Sequence, residues 1–150
     1  MATRSVVTVK ATLGRIALYR HWDGYPAEAG AAILEAIQSS SRRAYATDGP
    51  ERFVEALLRV RDSAGREVYE LTTREEDHGD LDWRYSVKRT PCLGGWWITA
   101  ERRTWTNDGE SETWSTAFAG EQLGFETFVS ADRADITARC SARGLPPAYA

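Results

Sequence analysis

Asp82-Trp83-Arg84-Tyr85-Ser86-Val87-Lys88-Arg89 is the stretch on which the fold turns. Trp83, Tyr85 and Val87 fall on one side of an extended chain, and Asp82, Arg84, Ser86 and Lys88 on the other. A period of two with one apolar side belongs to a strand half in a core and half in water, the pattern of an antiparallel sheet covered on one face.

Working outward, Gly95 to Thr106 and Glu110 to Phe118 flank Asn107-Asp108-Gly109, the strongest turn signal in the chain, and form a hairpin. A two-residue Asp108-Gly109 loop sets Arg103 opposite Trp114, a pairing suited to cation–π stacking. Both faces of this hairpin carry aromatic and charged residues, so its buried face stays open at this stage. Glu121 to Ser141 reads as a helix with Phe125, Phe128 and Val129 as its apolar stripe, stopped by Gly144 and Pro146-Pro147. A flexible tail is expected from about residue 144.

Upstream, Arg4 to Lys10 and Arg15 to Trp22 alternate around an Ala11 to Gly14 loop and read as an N-terminal hairpin. Asp23-Gly24-Tyr25-Pro26 breaks the second strand, and Pro26 suits a helix start over Ala27 to Gln38. Ser39 to Ala46 is polar and reads as a loop. A second helix is signalled by Asp48 as cap, Pro50 in the first turn and Phe53, Leu57 and Val60 as stripe. Glu67 to Thr72 is a short strand, and Thr73 to Leu81 an acidic exposed loop. The order is ββ-αα-βββ(β)-α with no alternating βαβ units. That predicts one α+β domain over residues 1–150, an antiparallel sheet with about three helices packed mainly on one face.

Composition narrows the function classes. The 150 residues are 42% apolar, enough for a core, and no run of about 18 apolar residues crosses a bilayer. Met1 to Ser5 lacks an apolar signal core, so a cytoplasmic protein with no membrane partner is expected. A formal charge of −3 argues against general nucleic-acid binding. The basic residues are 17 Arg against only Lys10 and Lys88. Arginine holds planar anions in a fixed fork and stacks on rings, although coding bias alone explains most of such an excess. Cys92 and Cys140 have no metal-ligand spacing and read as free thiols.

The densest chemistry is Tyr19-Arg20-His21-Trp22-Asp23-Gly24-Tyr25-Pro26. Alternation places Arg20 and Trp22 on one face and His21 and Asp23, within reach of a shared hydrogen bond, on the other. Arg20 offers an anion clamp, Trp22 and Tyr25 offer stacking faces, and the following helix adds N–H groups opposed by Glu28. A purely architectural use of the same residues is equally open, with Asp23 as an Asx turn, Gly24 at positive φ and Pro26 starting the helix. His78, Asp80 and Asp82 alternate, and with His21 and Asp23 offer acid–base or metal chemistry if both histidines converge. Arg42-Arg43, Arg102-Arg103 and the Arg139/Arg143 pair are separate basic spots, each able to contribute to an anion pocket. No nucleophile elbow, Walker loop, dinucleotide fingerprint or zincin motif occurs.

The stretch from Tyr19 to Pro26 resembles the Tyr-Arg-x-aromatic-Asp-Gly-Tyr-Pro signature of a family of small phage and prophage proteins. Those proteins also begin with a Thr-Arg-Ser segment, as at Thr3-Arg4-Ser5, and show a Trp83-x-Tyr85 strand and an Ala119-Gly120 step into a last helix. The resemblance implies a role in countering host defence, and one recurrent class of such proteins sequesters cyclic-nucleotide or ADP-ribose-type signals. The expectation is therefore a phage-encoded, homo-oligomeric sponge for a small anionic, nucleotide-derived ligand, with no cofactor, metal or turnover. Its ligand-binding residues are expected to be Arg20, His21, Trp22, Asp23, Tyr25, Arg103 and Trp114. The alternatives are a protein-interaction inhibitor of a host defence enzyme and, third, a phosphodiesterase-like hydrolase using His21 and His78.

Overall fold

The computed structural model describes residues 3–11, 14–41, 49–74, 78–90, 95–106, 109 and 111–146. Strands β1 (Ser5–Ala11) and β2 (Gly14–Arg20) open the chain. A π-helical turn, Pro26–Gly30, runs directly into α1 (Ala31–Ser41), followed by α2 (Gly49–Leu58) and β3 (Tyr69–Thr72). Then come β4 (Trp83–Arg89), β5 (Trp96–Trp105), β6 (Glu112–Glu121) and α3 (Gln122–Ala142). This is the α+β order that alternation and turn chemistry predict. The expected Asp48 cap, the Asn107-Asp108 turn tip and the tail beyond residue 146 lie outside the described residues.

The strands form one sheet in the order β3-β2-β1-β4-β5-β6. Four of its pairings are antiparallel, but the central one, β1 with β4, is parallel and aligns Val7 with Tyr85. The sheet is therefore mixed where a uniformly antiparallel one was expected. Half-buried strands alternate identically in either direction, so the pattern at Asp82 to Arg89 fixes a strand and not its orientation.

Helices cover one face. Val7, Val9, Leu18, Tyr85, Val87, Ile98 and Ala100 meet Ile33, Ile37, Phe53, Leu57, Phe125 and Val129 there, all in one cluster. Full burial of each such side chain is worth roughly 1.5–3 kcal/mol. Trp96, Ile98 and Ala100 settle which side of β5 faces inward. A register shift between Ala100 and Glu101 then bends the β5–β6 ladder. On the other face Val6, Tyr19 and Leu81 form a small buried apolar cluster, with Ala17 and Trp114 against them.

Two features at the ends of the helical layer shape the surface. α3 has 21 residues, about 30 Å of helix, but only Phe125 and Val129 are buried, so its C-terminal half projects beyond the core. It ends at Gly144 in the left-handed region (φ 68°), with the Leu145 N–H donating to the Cys140 carbonyl at 2.9 Å. β6, at the sheet edge, has no buried residue.

Candidate functional site

The junction after β2 is a clamp. β2 ends at Arg20, two residues earlier than alternation predicts, and the Arg20 side chain turns into the protein, where 6% of it is exposed. Its Nε donates to the Trp22 carbonyl at 2.8 Å and a terminal nitrogen donates to the Tyr69 hydroxyl at 3.1 Å. The positive φ, 54°, belongs to Asp23 and not to Gly24. Glycine is required at 24 for close approach instead. A Cβ there would sit 2.7 Å from the Arg4 carbonyl carbon and 2.8 Å from Ser5. The Gly24 N–H donates to Thr3 at 2.7 Å, and its carbonyl accepts the Tyr85 hydroxyl at 2.9 Å. Pro26 starts the π-helical turn as expected. The N–H of Ala27, however, already donates to Asp132 of α3 at 2.8 Å, so that helix start is capped and not open to a ligand.

The seven expected ligand residues divide among four places. Arg20, Trp22 and Asp23 line a depression of about 390 Å³ that Glu28, Glu35 and Asp62 share, and Arg66 lies over the Trp22 ring at 5.2 Å. His21 lies 3.3 Å from Glu70, in place of the expected bond to Asp23. On the uncovered face, His21 meets the Tyr19 ring edge-on and His78 stacks on it at 3.9 Å, so both histidines converge on one tyrosine. Burial, then the nearby Asp80 carboxylate, raises the Tyr19 hydroxyl above its ordinary pKa. Among the described residues no group of three or more His, Cys, Asp or Glu is set to hold a metal ion.

Arg103 does stand opposite Trp114 in register. The stacking partner of Trp114 is nevertheless Arg84, 4.1 Å above its ring. The Arg103 guanidinium is drawn the other way by carboxylates, to Glu112 at 3.3 Å and Asp82 at 3.7 Å, and over the Trp105 ring at 5.1 Å.

Arg103 and Tyr25 instead share a groove of about 680 Å³ between the projecting half of α3 and the ends of β4 and β5. Buried Trp83 lies against it; Arg102, Arg103 and Trp105 come from β5, Ile136, Arg139 and Cys140 from α3, and Arg143 from the residue that ends α3. The α3 residues recur at intervals of three and four, which puts them on one helix face. Arg139 is paired with Asp135 at 2.9 Å, while Arg102 and Arg143 make no ion pair among the described residues. Arg103 is nine-tenths buried, yet its Nε has no hydrogen-bond partner among the described residues. Trp105 is 58% exposed at the mouth, and Cys140 is a free thiol.

The basic spots Arg102-Arg103 and Arg139/Arg143, separate in sequence, thus meet in one place. Trp83 and Trp105 join them without any signal beyond being tryptophans in strands. Against known proteins, the chain matches no family model, no curated sequence and no solved structure.

Proposed function

We propose that the protein captures a small anionic ligand bearing an aromatic ring, a nucleotide-derived signal, and holds it without turnover as a phage anti-defence sponge. The groove beneath α3 is the site. The observation that carries this reading is the exposed Trp105 ring beside four arginines, two of them without an ion pair among the described residues. Guanidinium groups on both walls suit phosphate oxygens, and the indole suits a base. The volume lies within the usual range for small-molecule sites. Asp82, Asp132 and Asp135 on the same surface suit hydroxyl donors such as those of a ribose and disfavour a bare polyanion.

A thermal-shift screen against cyclic mono-, di- and trinucleotides and ADP-ribose derivatives tests the proposal. One ligand class should raise the melting temperature, and Trp105→Ala and Arg102→Glu should each remove that response. Ligand released intact by heating distinguishes capture from hydrolysis. A response untouched by both substitutions defeats the assignment of the groove.

The inhibitor reading retains one specific support. β6 is an edge strand of ten residues without a charge from Thr113 to Gly120, and Leu123 beside it is 76% exposed. Such an edge is open to pairing with another chain, a host protein or a second copy of this one. Stoichiometric capture of a host protein that Thr116→Lys abolishes, together with a flat ligand screen, would favour that reading.

A further inference from the structure

On the uncovered face, at the end of the sheet formed by the β1–β2 turn, the register aligns a row across five strands. Arg15 of β2 stands beside Lys10 of β1, Lys10 beside Lys88 of β4, Lys88 beside Trp97 of β5 and Trp97 beside Glu121 of β6. The chain's two lysines are therefore cross-strand neighbours, with an arginine next to them. Val9, Val87 and Ile98 are completely buried against the helices, which turns Lys10, Lys88 and Trp97 outward. Thr8 and Ser86 occupy the adjoining row, and a shallow depression of about 640 Å³ joins these hydroxyls to the three cations.

Like charges directly opposite one another destabilise a sheet. Here three stand in line with no carboxylate ion pair among the described residues. Glu121, the acid in the row itself, stands two strands away from Lys88 with Trp97 between them, and two further acids on this face are engaged elsewhere, Glu101 with Arg84 at 3.0 Å and Glu70 with His21. Adjacent strands are spaced about 4.8 Å apart, so the row from Arg15 to Trp97 covers about 14 Å. It ends on an indole that is 36% exposed.

We infer that this row is a second binding site, separate from the groove, for a nucleoside triphosphate, with the phosphate chain over Arg15, Lys10 and Lys88 and the base on Trp97. Lysine ammonium groups are compact charges suited to successive phosphates, and an aromatic ring at one end of the row gives the ligand a direction. The cations that repel one another in the empty protein become mutually screened when the phosphates lie between them.

The test is melting temperature at low salt without magnesium, measured with 5′-ATP, inorganic tripolyphosphate and a short oligothymidylate. ATP at 100 times its Kd should raise the melting temperature by roughly 5–10 °C. Tripolyphosphate should bind roughly ten-fold more weakly, and Trp97→Ala should reduce ATP to the same level. Lys10→Glu and Lys88→Glu should abolish the ATP response. Lys10→Glu should also raise the melting temperature of the ligand-free protein, because a carboxylate then separates Arg15 from Lys88, which shows that the variant folds. Arg102→Glu, which disables the groove, should leave the ATP response intact. The inference is overturned if ATP gives no shift, if the shift survives both lysine substitutions, if Arg102→Glu removes it, or if the oligothymidylate binds more tightly than ATP.

Discussion

Between Tyr19 and Pro26 the polar groups are engaged within the fold: Arg20 holds the Trp22 carbonyl and the Tyr69 hydroxyl, Gly24 joins Thr3 and Tyr85, and Asp132 caps Ala27. Beneath α3 the situation is reversed. Arg102 and Arg143 lack ion pairs among the described residues, an Arg103 nitrogen is buried without a partner there, and Trp105 stands in water. Density of chemistry along a sequence and availability of chemistry at a surface are thus different properties. A chain leaving a sheet for a helix must satisfy many backbone groups within a few residues, and that alone concentrates polar and aromatic side chains.

Substitutions can break this contrast, the largest effects falling in the junction. Arg20→Ala removes a buried stem and two hydrogen bonds and should cost about 4 kcal/mol, a drop in melting temperature on the order of 10 °C by calorimetry. Unchanged stability with lost ligand binding would return the junction to the functional column. Gly24→Ala forces a methyl group against the Arg4 backbone and should cost about 3 kcal/mol in urea unfolding, despite the small change in volume.

Tyr85→Phe should cost about 1 kcal/mol at neutral pH through the lost bond to Gly24. It should also change the alkaline limb of stability. Burial raises the hydroxyls of Tyr69 and Tyr85 above their usual value near 10, so at higher pH the unfolded chain ionises first and stability falls. Tyr85→Phe removes one of these ionisations, and the loss measured above about pH 10 should be shallower than in the parent protein. At the small end, Trp105→Ala should change stability by less than about 0.5 kcal/mol, since its ring lies mostly in water, while removing ligand binding. A large loss of stability from Trp105→Ala would make the groove part of the core and erase the contrast.

Most of the architecture was legible because alternation, glycine turns and helical stripes are local. Gly144 as the end of α3 and Arg103 opposite Trp114 follow from spacing alone. Strand direction at the centre was not legible, because Val7 and Tyr85 alternate with their neighbours in the same way whichever way β1 and β4 run. Nor was the partner of Trp114: register sets who is opposite, while competing carboxylates at Asp82 and Glu112 decide where the Arg103 guanidinium goes. Of the groove, Tyr25 and Arg103 were among the expected ligand residues. The rest required the long-range meeting of Trp83, β5 and the far half of α3.

The parallel pairing of β1 with β4 also sets the timetable of folding. β1 meets β2 across a short turn, a step of microseconds, but its other neighbour lies far downstream, as the bond between Arg4 and Asp82, 78 residues apart, illustrates. At ribosomal speeds that gap is on the order of ten seconds. Throughout it, Ser5-Val6-Val7-Thr8-Val9 presents an unpaired, valine-rich edge of the kind that recruits other nascent chains. Arg4 and Lys10 bracket that segment with positive charge, so the central strand of the finished sheet is synthesised between its own gatekeepers.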